Sequence, residues 1–521
     1  MKKTLSVILV AIMLATSIAT MAVGAASTPS EWDGTTKDTS WYDVNSTTKT
    51  ATLYNAAQLA GFAEISKTET FVDWTIKLGT DIVWNKGDAA TFEATAPANI
   101  WTPVADFWGT FDGQGHTVSG LYFNDDTVKQ VGFFASLNGG VVKNLSVVNS
   151  YFCGRTAIGG IAGEAHDYYV VIENCYSDVI LHGYPMQKDK TKKDIDRAQI
   201  GGILGLNSIK GTTVSNCWSE GKYIAYAPWD GMLENDGSDN KATVVGGIVG
   251  ISQIADIAVK DCISSAYIQG HSQLGGIIGR IGGSANSSME NCIFLGSIHV
   301  TRERDITSTG PASNVAIFTG SILGVTMGNQ VAIKNCYALD THAVTYMKES
   351  IVNPNFKTAF WSSNNDKGKT SPDSSMFSIT AESIKGDAAK TTLAGFDFTN
   401  VWAAGENGPE IASLSYIAQN KVSNVPADVP SDEPEQGGEV TPPVGGDDNT
   451  DDPADTGNAN TEPVDTNEVD TNTETQGTVD TTKPADTEEE KSGCGAALGT
   501  ATFAVLAIAS AAAFVGKKKE D

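Results

Sequence analysis

Aromatic, acidic and basic side chains lie close together in three stretches of this 521-residue chain, 184–199, 223–245 and 300–315. Aromatic rings can stack on the apolar face of a sugar ring, while carboxylate and guanidinium groups can hydrogen-bond its hydroxyl or carboxylate groups. The combination favours a carbohydrate-binding surface, although ordinary solvated loops have a similar composition. The candidate binding residues are Tyr184, Asp196, Arg197, Tyr226, Trp229, Asp236, Arg302, Arg304 and Asp305.

A short pattern that recurs five times defines the elements that must position these loops. Each copy has two glycines (the second is serine in the last copy), two apolar residues and another glycine, with a cysteine twelve or thirteen residues later. The copies begin at Gly159, Gly201, Gly246, Gly275 and Gly320, and their cysteines are Cys175, Cys217, Cys262, Cys292 and Cys336. Such a unit is one turn of a stacked array, because a single copy cannot bury its own apolar face. The three loops leave their units at the same point, so we expect them on one side of the array.

Apolar and polar residues alternate between the glycines, as in Val214-Ser215-Asn216-Cys217. Period-two alternation with glycine-rich corners predicts short strands. We therefore predict an all-β fold, a right-handed parallel β-helix solenoid with three short strands per coil. The repeat cysteines share one phase, so they should form an interior column and be mostly reduced. The asparagines before most of them should form a structural ladder, which Asp261 would interrupt.

The Gly-Gly-Ile-x-Gly and Asn-Cys-Tyr or Asn-Cys-Trp motifs resemble the GLUG-motif repeats of bacterial surface proteins. The resemblance covers roughly residues 50–413 and includes the segments 53–60, 76–82, 101–103, 109–118 and 395–402. It implies a short N-terminal capping helix at 53–60, a first coil at 76–82 and a closing segment at 395–402. Such repeats occur in adhesins, in stalks of surface proteases and beside glycan-binding modules, and they have no shared catalytic residues.

Parallel β-helices also include many polysaccharide lyases and hydrolases. A glycoside hydrolase needs two carboxylates about 5–10 Å apart across the scissile bond, but the sequence fixes no such pair. It therefore identifies no catalytic residue and no metal site, and it indicates no cofactor, although Ca²⁺ is compatible with the acidic loops. The motifs of zinc metalloproteases, phosphate-binding loops and serine hydrolases are missing from the sequence, which argues against those activities.

The two ends of the chain predict export and anchoring. Residues 1–26 have the basic start, apolar run and small-residue exit of a secretory signal peptide. The uncharged apolar segment 495–516 is long enough to cross a bilayer, and the basic tail 517–521 should then be cytoplasmic. Between residues 421 and 492 there are 20 acidic and 3 basic residues and no aromatic residue. This composition predicts that 421–494 is a disordered Thr/Asp/Pro/Glu stalk.

The predicted order is thus an N-terminal cap with the first coils (27–130), the repeats (131–345) and a C-terminal cap (346–420), followed by the stalk. The net charge of −27 argues against a nucleic-acid partner. We expect a single-pass membrane-anchored protein on the surface of a Gram-positive-type bacterium. The expected function is an adhesin or glycan-binding protein whose partner is an extracellular polysaccharide or a host or bacterial surface glycoprotein. The alternatives are a β-helical polysaccharide lyase or glycoside hydrolase, and a structural spacer without a ligand.

Overall fold

Short parallel strands form most of the part of the chain that the computed structural model describes. Those residues are 29–184, 197–226, 243–253, 256–270, 273–282, 287–300, 319–326, 331–339, 344–346, 362–363 and 376–415. Strands of the repeats pair in parallel with the equivalent strands of neighbouring coils, which makes four stacked sheets. The predicted all-β architecture of stacked parallel coils is therefore confirmed.

Each coil passes through four sheets, which we number in the order in which the chain visits them. Sheet 1 contains Thr50–Leu53, Thr75–Leu78, Thr110–Asp112, Val141–Lys143, Val171–Glu173, Thr212–Ser215, Ile257–Lys260, Ser288–Glu290 and Ala332–Lys334. Sheet 2 contains Ile82–Val83, Thr117–Ser119, Tyr122–Asn124, Ser146–Gly154, Tyr176–Gly183, Trp218–Ala225, Ile263–Ser264, Tyr267–Gly270, Ile293–Phe294, Ser297–Val300, Cys336–Leu339, Val344–Tyr346 and Met376–Ile379. Sheet 3 contains Gln130–Val131, Ala157–Gly159, Gln199–Gly201, Val244–Gly246, Leu274–Gly275 and Thr319–Gly320. Sheet 4 contains Phe134–Leu137, Ala162–Ala165, Leu204–Asn207, Val249–Ser252, Ile278–Ile281, Leu323–Thr326 and Ser362–Ser363.

The prediction of three strands per coil is wrong, because the chain folds sharply at each Gly-Gly pair. Ala157–Gly159 belongs to sheet 3, whereas Ala162–Ala165 belongs to sheet 4. A Cβ atom on Gly159 would collide with the carbonyl oxygen of Ala162. The glycines therefore mark a corner too tight for a side chain, not the flanks of one strand. A coil consequently has four or five strands.

The Asn-Cys pairs lie at the corner between sheets 1 and 2. Asn174 has a φ of 52°, a left-handed conformation that asparagine adopts more readily than most residues. The amide of Asn335 donates to Asn291 Oδ1 at 3.1 Å, and the amide of Asn291 donates to Asp261 Oδ1 at 2.9 Å. The predicted side-chain ladder is therefore present, and Asp261 continues it where the sequence predicted a break.

The five repeat cysteines form the predicted interior column, and each is fully buried. All six cysteines among the described residues are free thiols, while Cys494 lies outside those residues. Cys217 Sγ donates to the carbonyl oxygen of Ser215 at 3.2 Å. Burial raises the pKa of the Cys217 thiol well above its usual value, so the thiol is neutral and acts as a small apolar core residue.

A helix, α1 (Ala56–Ile65), covers the first coils. Asn55 caps its first turn with a side-chain oxygen, which stabilises the exposed main-chain N–H groups there. The fully buried ring of Phe62 lies 5.7 Å from the ring of Phe111, inside the first coils. The predicted helix at 53–60 is therefore present, but it begins later because Leu53 still belongs to a sheet 1 strand.

Residues 376–415, which we call the C-terminal strap, run along the outside of the coils. The strap contains the sheet 2 strand Met376–Ile379, the 3-10 helices Glu382–Ile384 and Ala412–Leu414, α2 (Ala388–Thr392) and the antiparallel pair Trp402–Ala404 and Pro409–Ile411. It covers a column of sheet 2 side chains on successive coils, namely Tyr176, Trp218, Ile263, Ile293 and Tyr337. Trp402 Nε1 donates to Asp261 Oδ1 at 3.1 Å, and Ser413 Oγ donates to Asn174 Oδ1 at 3.3 Å. The described part of the predicted C-terminal cap thus lies on the flank of the array.

Among the described residues, no helix is both long enough and apolar enough to span a membrane. The predicted membrane segment 495–516 lies outside those residues. So do the predicted signal peptide 1–26, the acidic segment 421–494 and the basic tail 517–521.

Candidate ligand-binding face

Two of the predicted binding residues, Tyr184 and Tyr226, lie side by side at the end of sheet 2. They directly follow the strands Tyr176–Gly183 and Trp218–Ala225. Their ring centroids are 4.2 Å apart, and their planes differ by 11°. Both side chains are partly exposed. The structure therefore brings together, as one tyrosine pair, two residues that the sequence assigned to different loops.

Arg197 lies in a different part of the coil from the tyrosine pair. It precedes the sheet 3 strand Gln199–Gly201, and it is close enough to Arg280 of sheet 4 to lower the pKa of that residue. Burial, with a smaller contribution from the Arg197 guanidinium, lowers the pKa of Arg280 to about 10. The remaining candidates, Asp196, Trp229, Asp236, Arg302, Arg304 and Asp305, lie outside the described residues.

The tyrosine pair continues a series of packed rings on the outer face of sheet 2, which we call the tyrosine ladder: Tyr122, Tyr151, His182, Tyr184 and Tyr226. Its other centroid distances are 5.7 Å from Tyr122 to Tyr151, 5.1 Å from Tyr151 to His182 and 5.6 Å from His182 to Tyr226. Burial raises the pKa of the Tyr151 hydroxyl far above its ordinary value. Aromatic contacts at these distances stabilise the stacking of the coils.

His182 is the one imidazole in the tyrosine ladder. It is 1% exposed, and its Nδ1 lies 3.1 Å from both Glu93 Oε1 and the hydroxyl oxygen of Tyr151. Burial, and then the charge of Lys222, lowers the pKa of His182 to about 4. The Glu93 carboxylate opposes this shift, but it is half exposed and screened by solvent, so burial dominates. His182 is therefore neutral near pH 7.

A more open group of side chains continues along the same face on the next coils. We call it the sheet 2 row, and it consists of Lys222, Tyr267, Gln269 and His299. The rings of Tyr267 and His299 are stacked at 4.2 Å and 20°. The Tyr267 hydroxyl donates to Gln269 Oε1 at 2.9 Å, and Lys222 Nζ lies 5.8 Å from the centre of the Tyr267 ring. The row therefore combines partly exposed rings with hydrogen-bonding and cationic groups.

The sequence analysis missed the sheet 2 row and His182, although the repeat contains a signal for them. Lys222 and Tyr267 are each five residues after a repeat cysteine, while His182 and His299 are each seven residues after one. Residues at these two offsets project from the outer face of sheet 2 because side chains alternate along a strand. These positions lie within the strands and not in the longer loops to which the predicted binding residues belong.

The described side chains of this face supply rings, charges and hydrogen-bonding groups. Among the described residues, no group of three His, Cys, Asp or Glu side chains is arranged to hold a metal ion. Glu93 is the carboxylate next to His182, and Lys222 supplies the opposite charge. Rings, a cation, a carboxylate and an amide suit recognition of a polar ligand with an apolar face.

Comparison with known proteins gives partial likenesses. No protein-family model matches the chain. Part of it is similar to halomucin of Haloquadratum walsbyi, with 31% identity over 163 residues, 29% of this chain. The chain spans only 2% of the length of that relative. A crystal structure from Bacteroides ovatus, provisionally assigned as an immunoglobulin A1 protease, has a TM-score of 0.45 and 20% identity, over 70% of this chain and 92% of that chain. A likeness at this level supports no functional argument.

Proposed function

We propose that this protein is a cell-surface β-helix that binds glycans through the outer face of sheet 2. The observation that carries the proposal is the sheet 2 row, which lies on the same face as the tyrosine pair, on the coils that follow and two to four residues nearer the start of each strand. Neighbouring strands are about 4.8 Å apart, so this face extends over about 15 Å along the array. That length suits a short stretch of polysaccharide lying along the axis, with rings against its sugar faces and polar groups at its hydroxyls.

The cellular location of the protein, at the cell surface, is part of the same proposal. The signal-like and membrane-like segments of the sequence and its GLUG-like motifs support an adhesin that is anchored by one membrane helix and displayed on an acidic stalk. The proposed ligand is an extracellular polysaccharide or the glycan of a surface glycoprotein. The halomucin match covers too little of that protein to specify either.

Binding and cleavage can be measured in one experiment on the full chain. Immobilised plant, microbial and host polysaccharides would be tested for retention of the protein and for release of new reducing ends in the same wells. We expect retention without release. Release of chain ends would make the protein a lyase or hydrolase, and neither signal would favour a spacer or a protein partner.

Variants locate the binding to the sheet 2 row. Tyr267→Ala removes a ring and should weaken retention about tenfold, the effect of losing one good stacking contact. Lys222→Ala should weaken it less. Lys260→Ala is the matched control, because Lys260 is also an exposed lysine but lies at the end of a sheet 1 strand. Retention unchanged by Tyr267→Ala would contradict the proposed face.

A further inference from the structure

A second group of aromatic residues lies at another corner of the coils, where the chain passes from sheet 4 to sheet 1. Tyr168 and Tyr169 are 58% and 65% exposed, among the few large apolar or aromatic side chains of the described residues that are so exposed. The ring of Trp108, two coils earlier in the stack, lies 5.3 Å from the ring of Tyr168. We call these three residues the exposed aromatic corner. An exposed cluster of rings on a soluble surface marks an interaction site more often than an isolated ring does.

Glycines on the neighbouring coils keep these rings uncovered. Gly139 and Gly211 both have positive φ angles, of 87° and 86°. A Cβ atom on Gly139 would lie 3.1 Å from Tyr168 Cβ, and one on Gly211 would lie 3.5 Å from Tyr169 Cβ. A side chain at either position would therefore extend over the tyrosines. The corner is open because the coils before and after it have no side chains there.

Polar groups beside the rings are held in fixed positions. His166 lies between two carboxylates, with Nε2 3.2 Å from Asp106 Oδ1 and Nδ1 3.1 Å from Asp167 Oδ2. Trp108 Nε1 donates to Asp106 Oδ2 at 3.1 Å. Asn138 Nδ2 donates to Asp167 Oδ2 at 3.2 Å. These contacts join residues of three coils, so rings and carboxylates keep their relative positions.

Two acceptor atoms in this cluster have no partner within the described part of the chain. Asp167 Oδ1 accepts no hydrogen bond there, and its side chain is 66% exposed. Asn138 is 3% exposed, its amide faces Asp167, and its Oδ1 is also without a donor among the described residues. A buried acceptor without a donor is unfavourable. Asn138 Oδ1 is itself shut off from solvent, so a ligand hydroxyl would reach the exposed Asp167 Oδ1, next to the Asn138 amide.

We infer that the exposed aromatic corner is a second glycan-binding site, which takes the ring of an uncharged sugar. The sugar stacks on Tyr168 or Tyr169 and donates a hydroxyl hydrogen to Asp167 Oδ1. Two carboxylates with one imidazole between them disfavour uronates and sulfated sugars. The inference shares its ligand class with the proposed function, but it depends on different residues, at a different corner of the coils.

The test measures binding of soluble hexasaccharides to the full chain by titration calorimetry. The probes are hexamers of β-1,4-linked glucose, mannose, xylose and N-acetylglucosamine, with a galacturonate hexamer as the charged comparison. We expect at least one uncharged hexamer to bind more tightly than the galacturonate hexamer. Replacing both tyrosines, Tyr168→Ala with Tyr169→Ala, should weaken that binding more than about tenfold. Asp167→Asn should weaken it about threefold to tenfold, the difference between a hydrogen bond to a charged acceptor and one to a neutral amide oxygen.

Tyr54→Ala is the matched control, because Tyr54 is 60% exposed but precedes α1 at the start of the array. It should leave binding unchanged, and the melting temperatures of all these variants should stay close to that of the unmodified chain. The inference is wrong if no uncharged hexamer binds or if the double variant binds as well as the unmodified chain. Tyr267→Ala separates the two proposals. If it abolishes binding while the double variant does not, the ligand uses the sheet 2 row alone.

Discussion

The tyrosine ladder and the exposed aromatic corner contain the same kinds of residue, but the rings are buried in the ladder and exposed at the corner. Each has a histidine in contact with a carboxylate and close to tyrosine rings. In the ladder, Tyr151 and His182 are each 1% exposed, whereas Tyr168 in the corner is 58% exposed. In the ladder, rings of successive coils pack on one another, and Ala89 and Phe92 pack against Tyr122 and Tyr151. At the corner, the neighbouring coils have glycine, and the ring faces are open.

The residue on the next coil therefore decides what a ring contributes. A β-helix brings equivalent positions of successive coils to within about 5 Å. Two rings at one position pack on each other and stabilise the stack, while a ring next to glycine stays available to a ligand. Substitutions in the ladder should mainly lower stability, and substitutions at the corner should mainly lower binding.

The largest expected difference is between Tyr151→Ala and Tyr168→Ala. Tyr151 is buried between Tyr122 and His182, so truncation leaves a cavity and should lower the free energy of unfolding by about 3–5 kcal/mol. Tyr168→Ala should change it by less than about 0.5 kcal/mol, as is usual for exposed positions. Chemical denaturation of the full chain measures both. Similar losses in the two variants would contradict the comparison.

Acid should destabilise the ladder through His182. The pKa of this residue is lowered from 6.5 to about 4 in the folded chain, so below pH 6.5 the unfolded chain binds a proton that the folded chain does not. The free energy of unfolding should fall as the pH drops from 6.5 to about 4, by about 3 kcal/mol in all, with no such contribution above pH 6.5. His182→Gln should remove this part of the pH dependence. An unaltered pH profile in that variant would show that His182 is not the group responsible.

The tyrosine pair at the open end of the ladder should give an intermediate result. Tyr226 is stacked on Tyr184 but partly exposed, so Tyr226→Ala should lower the free energy of unfolding by about 1–2 kcal/mol. Tyr226→Phe retains the ring and should lose less than half of that. Denaturation under the same conditions measures both variants. A loss of unfolding free energy as large as that of Tyr151→Ala would mean that the tyrosine pair contributes to stability as much as a buried core residue does.

The smallest expected effect concerns the hydrogen bond that Trp108 donates to Asp106. Trp108→Phe keeps a ring at the corner but removes the N–H, and it should lower the free energy of unfolding by about 0.5 kcal/mol, as expected for a partly exposed hydrogen bond. Sugar binding should be retained in part. A loss above about 2 kcal/mol would mean that the corner, like the ladder, mainly stabilises the fold.

The sequence predicted the stacked parallel coils, the interior cysteine column and the helix near residue 56, because each depends on a short pattern that repeats or caps. It did not predict the bend at Gly159, since paired glycines fit both the end of a strand and a corner. Asp261 was expected to interrupt the asparagine ladder, but a carboxylate oxygen accepts from Asn291 as well as an amide oxygen does.

The candidate sites were less predictable than the coils. Tyr184 and Tyr226 were found because they lie at the roots of long loops, although their direct stacking depends on the register between coils. Tyr168 and Tyr169 lie in an ordinary short turn of the repeat. Their exposure depends on glycines 29 residues before Tyr168 and 42 residues after Tyr169, a relation that only the stacking of the coils establishes.

The C-terminal strap determines which coils would first bear a pulling force applied at the end of the strap. The strap starts beside Cys336–Leu339 and then runs back, so that Trp402 contacts Asp261 and Ser413 reaches Asn174, on a coil closer to the N-terminus. Tension applied at Ser415 would therefore act first on the side of the stack, near the coil of Asn174. While these contacts hold, the last coils carry little of that tension. Only after the strap peels away would the load pass to the strand Met376–Ile379 at the far end.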